Sequence, residues 1–263
     1  MDLKLAGKVA LISAASRGLG YATALALAAE GAKLAICSRQ SSAIHTAAEN
    51  IKKLTGTAVL PVTADLSNPA DVRKFVDTAL TEYGTLDMAF LNTGGPKPGN
   101  FLDLTPEDWE TAAQTTLHSM IQLAYAVVPI MRAQQNGSIL INTSVTVKEP
   151  LDNLILSNSL RMAVIGLVKS LANEVGPDNV RVNAIAPGWT RTERIDALLQ
   201  ARMERSHHTL EEEMAEVSAN VPLRRIGSPD EFGTVAAFLL SPAASYITGV
   251  TLLVDGGMSK TAL

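Results

Sequence analysis

Val9-Ala10-Leu11-Ile12-Ser13-Ala14-Ala15-Ser16-Arg17-Gly18-Leu19-Gly20 runs from four apolar residues into a string of small ones with two glycines, and an alanine-rich, helix-periodic stretch, Tyr21 to Ala29, follows at once. The pattern reads as a strand, a glycine turn and a helix N-terminus. Gly18 and Gly20 have no Cβ, so backbone can come close to a bulky anion, while the unpaired N–H groups and the dipole at a helix start favour negative charge. A dinucleotide pyrophosphate is the expected occupant. About 20 residues further on, a dinucleotide fold sets an acid on the adenosine ribose 2′-hydroxyl. Here that place reads Cys37-Ser38-Arg39, at the end of a second apolar run, Leu34 to Ile36. Arg17 and Arg39 stand in for the acid. Two guanidiniums suit a 2′-phosphate, so the cofactor reads as NADP(H) rather than NAD(H).

Outward from this unit the alternation continues. Strand-like runs recur at Ala58 to Val62, Met88 to Leu91, Ile139 to Ile141, Val180 to Ile185 and Thr251 to Val254, with helix-length amphipathic stretches between most of them. Strands that are apolar on both sides need cover on both faces, which predicts an α/β fold: a single doubly wound Rossmann-type domain over 1–263, with a mostly parallel seven-stranded sheet and helices on both faces. Asn68-Pro69, Thr105-Pro106-Glu107 and Ser228-Pro229-Asp230 each put a cap residue before a proline, predicting helices over Ala70 to Tyr83, Asp108 to Arg132 and Glu231 to Leu240. From about 190 to 220 the chain is more charged and loosely helical, the place for a lid beside the carboxyl ends of the strands.

Composition narrows the function classes. The 263 residues are 47% hydrophobic and 18% charged, enough for a large core. A net charge of −4 gives no basic field for nucleic acid. No segment reaches the ~18 uninterrupted apolar residues of a membrane span, so no membrane partner is expected. The lone Cys37 allows neither an intramolecular disulfide nor a cysteine metal cluster, in keeping with a cytoplasmic setting, and no metal site is expected.

Further motifs follow the strands: Ala64-Asp65-Leu66, Asn92-Thr93-Gly94, Ser144 and Pro187-Gly188-Trp189-Thr190-Arg191-Thr192. With Pro222 to Gly227 and Tyr246 to Gly257, this ordered set resembles the short-chain dehydrogenase/reductase family over nearly the whole chain, most closely its 3-oxoacyl-acyl-carrier-protein reductase-like members. The resemblance implies that Ser13, Ser16, Arg17, Gly18, Leu19 and Gly20 hold the pyrophosphate, with Ser13 and Ala14 where threonine and glycine are usual. Ser38 and Arg39 fall at the 2′-phosphate. Asp65 and Leu66 flank adenine, Asn92 and Gly94 lie on the adenosine ribose side, and Pro187, Gly188, Thr190 and Thr192 bracket the nicotinamide. Dimers or tetramers are implied through the helices that begin near Asp108 and Ser157, and a small-molecule or acyl-carrier-type substrate.

The family's chemistry uses a serine, a tyrosine thirteen residues later, a lysine four after that, and an asparagine on the preceding helix. Counting from Ser144 puts Ser157 at the tyrosine place and Arg161 at the lysine place, and Thr116 stands where the asparagine is expected. A serine hydroxyl is a far weaker acid than a phenol, and arginine carries charge without exchanging protons. Arg161 retains the ability to hold ribose hydroxyls and to stabilise an alkoxide, together with Ser144. Lys148, in the loop after Ser144, is the candidate proton donor, because lysine responds readily to desolvation. His207-His208 are expected at the surface and His118 at a packed or partly exposed helix position, and Tyr21, Tyr83, Tyr125 and Tyr246 lie outside the catalytic register. The expected activity is NADP(H)-dependent ketone/alcohol interconversion by a non-standard proton relay. The alternatives are a cofactor-binding protein with little turnover, acting as sensor, scaffold or partner subunit, and, ranked third, non-redox chemistry in the same pocket.

Overall fold

The computed structural model describes residues 2–262, less the side chains of residues 201 and 205. Among them, β1 (Val9–Ile12), β2 (Lys33–Ser38), β3 (Val59–Thr63), β4 (Met88–Leu91), β5 (Gly137–Asn142), β6 (Val180–Pro187) and β7 (Thr251–Val254) form one sheet in the order β3-β2-β1-β4-β5-β6-β7. Every pairing is parallel, where the sequence predicts a mostly parallel sheet. The chain winds outward from β1 to β3, then crosses back to lay β4 on the other side of β1, with Ile12 opposite Phe90. Connections leaving β1 and β4 therefore turn to opposite faces, and a crevice opens above their carboxyl ends.

Alternate residues of each strand feed separate cores. Val9, Leu11, Ala89 and Leu91 pack against α3 (Pro69–Tyr83), α5 (Ser119–Gln134) and α6 (Ile155–Val175), through Phe75, Leu123 and Val164. Ala10, Ile12, Met88 and Phe90 pack against α1 (Gly18–Ala29), α2 (Ser41–Thr55) and α9 (Pro229–Leu240), through Leu27, Ile44 and Phe232. Both sets are apolar because both faces are covered, which is why the strands read as continuous runs. By length and composition the helix Ile155–Asp178 is apolar enough to cross a membrane. Its Leu156, Val164, Val168 and Ala172 are buried within the protein.

All three predicted helix starts are present. Asn68 accepts from Ala70 N at 2.9 Å, and Thr105 with Asp108 and Ser228 with Glu231 form reciprocal capping boxes. The helix expected over Asp108 to Arg132 begins earlier, as α4 (Pro106–Ala113), and is not uniform. A π-helical segment, Gln114–His118, joins α4 to α5, and it carries Thr116. Residue types suited to an α-helix conceal the wider turn, a feature that tends to mark functional sites.

The charged stretch near 190–220 forms two helices, α7 (Glu193–Ser206) and α8 (Leu210–Ala219), joined through His207 in a left-handed conformation. Glu213 is 1% exposed and binds the pair together. It accepts from Arg202 Nε at 2.6 Å and Ser206 Oγ at 2.5 Å. Those hydrogen bonds, from Ser206 first and then Arg202, hold its carboxyl below the usual range. A depressed carboxyl contributes stability that is complete above its unfolded value, about pH 4.3, and is lost as pH falls through the lower folded value. Amide exchange in 193–219 is therefore expected to quicken, relative to the sheet, on acidification from pH 6 to 3. Glu213→Gln should exchange about tenfold faster already at pH 6, as loss of charge-assisted bonds requires. Unchanged exchange in that variant would refute the role.

Candidate active site

The glycine turn is stitched to β4. Ser13 Oγ donates to the Asn92 carbonyl at 2.8 Å and accepts from Asn92 N at 2.7 Å, so this buried hydroxyl already holds two backbone partners. Ala14, at the place where glycine is usual, has φ +49°, a left-handed conformation that costs an L-residue about 1–2 kcal/mol. Gly18 opens α1 at φ +59°. Arg17 precedes it without capping the helix through its side chain, so that side chain leaves the first N–H groups of α1 free for another acceptor. The Arg17 guanidinium, expected from sequence at a 2′-phosphate, is paired with Glu193 of α7.

At the adenosine end, Ser38 Oγ donates to the Gln40 carbonyl at 3.1 Å and Arg39 is exposed. Asp65 Oδ1 accepts from Ser67 N and Oγ at 2.9 and 2.8 Å. These bonds lower the Asp65 pKa, and Arg39 nearby adds to the effect. Leu66 is half-buried beside it. Asn92 is placed deeper, its Nδ2 donating to the Ala14 carbonyl at 3.3 Å and its Oδ1 accepting from Asn142 Nδ2 at 2.8 Å. Above Gly94 there is open space: a Cβ there would meet nothing within 4 Å.

Ser144, Ser157 and Arg161 converge at the carboxyl end of β5. Ser144 Oγ accepts from Thr146 N at 3.2 Å, which leaves its hydroxyl proton available. Thr146 Oγ1 and Ser157 Oγ share a hydrogen bond of 3.1 Å, both residues being buried. Arg161 is 7% exposed, and its Nη1 donates to the Asn142 and Thr143 carbonyls at 3.2 and 2.9 Å. Burial, then the charge of Arg194, push its pKa down to about 10, so it stays cationic near neutrality and is no proton donor there. Its Nε is buried with no hydrogen-bond partner among the described residues, as are Thr116 Oγ1 and Asn142 Oδ1. Buried polar atoms without partners are expensive, and three of them at one end of the sheet suit a site completed by a ligand. Lys148 is half-buried just past the short 3₁₀ turn Val145–Val147.

Pro187 ends β6, and Gly188 N donates to the Val254 carbonyl at 3.0 Å, fixing this strand end against β7. Thr190 is buried and bridges to Gly227. Thr192 leads into α7, and its methyl would lie 3.7 Å from a Cβ at Gly18, so the start of α7 stands over the glycine turn. Two residues on, Arg194 Nη2 donates to the Pro96 carbonyl at 2.5 Å. Thr146, Asn142, Glu193 and Arg194 escaped the sequence reading. For Thr146 a signal exists in its spacing of two from Ser144; for Glu193 and Arg194 only adjacency to the Thr192 motif points to them.

His207 and His208 are exposed as expected, and His118 is exposed as well, where the sequence predicts a packed or partly exposed position. His208 nevertheless meets Glu213 and Glu216, its Nδ1 lying 3.2 and 3.8 Å from their carboxylates, a grouping with ligand atoms suited to a cation. Arg202 already bonds both carboxylates, so the cluster forms an ion-pair network. Tyr83 donates to the Leu34 carbonyl at the opposite end of the sheet, and Tyr125 and Tyr246 lie on the outer surface.

Residues 13–259 match the model of a family described as enoyl-(acyl carrier protein) reductase. The 3-oxoacyl-[acyl-carrier-protein] reductase FabG of Chlamydia muridarum is 32% identical over 98% of this chain and 100% of its own length. L-sorbose reductase from Gluconobacter frateurii, solved with NADPH and L-sorbose, superimposes with a TM-score of 0.94 at 32% identity, covering 99% of this chain and 100% of that one. A short chain oxidoreductase from Pseudomonas aeruginosa PAO1, bound to NADPH and described as containing an atypical catalytic center, matches at a TM-score of 0.88 and 27% identity, over 97% and 98% of the two chains.

Proposed function

Because the chain belongs to the short-chain dehydrogenase/reductase family, we propose that it is an NADP(H)-dependent oxidoreductase that interconverts a ketone and an alcohol without a tyrosine acid. The observation that carries this reading is the Ser144, Thr146, Ser157 and Arg161 constellation at the end of β5. The crevice fits a nicotinamide dinucleotide: α1 has no side-chain cap, Gly94 lies open, and Arg161 Nε and Thr116 Oγ1 lack partners. Ser16, Arg17, Gly18, Leu19 and Gly20 would hold the pyrophosphate, Arg39 the 2′-phosphate, and Thr190 and Thr192 the nicotinamide end. Bound there, NADPH supplies the hydride for the substrate carbonyl carbon. The Ser144 hydroxyl donates a hydrogen bond to the substrate oxygen, and Arg161 stabilises the negative charge that grows on it. Lys148, or water at that loop, delivers the proton.

Oxidation of NADPH over a panel of β-ketoacyl thioesters, diketones and quinones tests the reading; cofactor binding without turnover of any of them rejects it. Such an outcome would favour the second reading, a nicotinamide-binding protein with little redox chemistry. The observation behind that alternative is that Ser157 is tied to Thr146 and Arg161 to two carbonyls. Ser157→Tyr with Arg161→Lys then creates activity if only the acid is lacking. Arg39→Ala should reduce the preference for NADPH over NADH about tenfold, measured by fluorescence titration of both, since a charge-assisted phosphate contact is lost. An unchanged preference would place the 2′-phosphate elsewhere.

Tyr125 on α5 and Met162 on α6 are 78% and 50% exposed, and β7 leaves an open sheet edge flanked by the fully exposed Tyr246. These surfaces suit a second copy of the chain, so light scattering is expected to give a multiple of 27.8 kDa, and a protomer mass would contradict the assembly.

A further inference from the structure

After β7 the chain turns back over the sheet. Gly256 and Gly257 have φ of +65° and +84°, a left-handed turn that glycine adopts readily. Asp255 locks the turn, its Oδ1 accepting from Gly257 N and its Oδ2 from Ser259 N, both at 2.9 Å. The turn rests on the end of β6, because a Cβ at Gly188 would stand 2.7 Å from that of Asp255. From there the chain reaches Glu149, whose Oε2 accepts from Lys260 N at 2.9 Å. Glu149 follows β5, and the sheet order at this edge is β5-β6-β7, so residues 255–260 cross the carboxyl end of β6 from one of its neighbours to the other. Neighbouring strands lie about 4.8 Å apart, a span of about 10 Å in all, which five residues cover.

This strap lies on the side of the crevice remote from the glycine turn, next to the loop that carries Ser144 and Lys148. The loop holds itself without it. Val147 N donates to the Ser144 carbonyl at 3.1 Å, and Lys148 N and Glu149 N donate to the Val145 carbonyl at 2.9 and 3.2 Å. The half-buried Glu149 side chain therefore fixes the strap rather than its own loop. Beyond Lys260 the strap is tied within itself, Ser259 Oγ lying 2.9 Å from Thr261 Oγ1.

Resting on the reductase reading, we propose that Glu149 is a positioning residue for specificity: it clips residues 258–262 beside the Ser144 loop, so that this strap closes off the room beyond the substrate carbonyl and the enzyme selects compact ketones over long acyl chains. A hydrogen bond to a carboxylate is among the stronger ones, which lets one side chain hold a chain end. The pyrophosphate and adenosine residues lie toward the other edge of the sheet, so cofactor binding does not depend on the strap.

Two measurements test the assignment. Amide exchange reads the clip without turnover: Glu149→Ala should quicken exchange at Lys260 about tenfold, as loss of a charge-assisted bond requires, and Glu149→Gln, which keeps an acceptor oxygen, should recover most of the protection. Steady-state NADPH oxidation reads the specificity, with acetoacetyl and β-ketodecanoyl N-acetylcysteamine thioesters as one pair and diacetyl and dibutyryl as another. The wild-type protein is expected to favour the compact member of a pair. Glu149→Ala, and a chain ended after Gly257, should each raise kcat/KM for the long member about tenfold, through KM, the scale on which a pocket discriminates apolar groups. Neither change should alter NADPH affinity or turnover of the compact member. Exchange at Lys260 that is indifferent to Glu149→Ala overturns the proposal, and so does a wild-type protein that takes long and compact members equally well. Variants that lose NADPH affinity and compact-ketone turnover together overturn it too, because the strap is then a support of the fold. A protein that binds NADPH but reduces none of these compounds, nor quinones, overturns the reductase reading and the size selection with it, whatever the exchange shows.

Discussion

Arg161→Leu is expected to lower turnover at least a hundredfold. The guanidinium is fixed at the end of β5 by two backbone carbonyls, so in the proposed mechanism its field would act on the substrate oxygen without reorganisation when charge develops there. Loss of a preorganised donor of that kind costs about 10²–10³ in rate. Leucine also strips the Asn142 and Thr143 carbonyls of a donor in a buried place, a penalty of about 1–3 kcal/mol. Thermal unfolding should register it as a drop of roughly 2–4 °C for each kcal/mol. Arg161→Lys retains a charge but not the fork, and is expected to fall between the two. Turnover within threefold of wild type in the leucine variant would remove Arg161 from the chemistry.

Gly20→Ala should abolish high-affinity NADPH binding, weakening it a hundredfold or more in a fluorescence titration. The added Cβ would stand 2.3 Å from the Ala14 carbonyl oxygen and 3.0 Å from Ala15 Cα. Both obstacles are backbone, so no rotamer change relieves the clash. Either α1 lifts from the strand end or the turn is reshaped, and both move the N–H groups that would face the pyrophosphate in the proposed complex. Overpacking of this sort costs about 1–3 kcal/mol, so lowered stability should accompany the lost affinity. Normal affinity would mean that this turn does not bind the cofactor.

What could be read from the sequence follows physical range. The β1 run, the glycine turn and the capped starts at Asn68, Thr105 and Ser228 are legible because their causes lie within a few residues of each other. The convergence of Ser144, Ser157 and Arg161 is legible only through the family resemblance, whose thirteen- and four-residue spacing carries over from Ser144. The π segment that presents Thr116 is not, since Gln114 to His118 would fit a regular helix as well. The Arg17 pairing with Glu193, and the reach of Arg194 to Pro96, join residues remote in sequence across the crevice. No local pattern encodes either. Thr146 links Ser144 to Ser157, a role that a lone threonine in a loop does not signal.

The crossing of the chain from β3 back to β1 also has a temporal side. Ala10 and Met88 can pair only after both outer strands and their helices have been made, and the lid with Thr192 emerges later still. During synthesis the nascent protein therefore presents the apolar flank of β1 to its surroundings for some seconds, at a ribosomal pace of about 5–20 residues per second. Non-local parallel pairing folds slowly, which makes that interval the one in which chaperones govern yield. Cofactor added to the growth medium or lysate cannot shorten it, because the pocket does not yet exist.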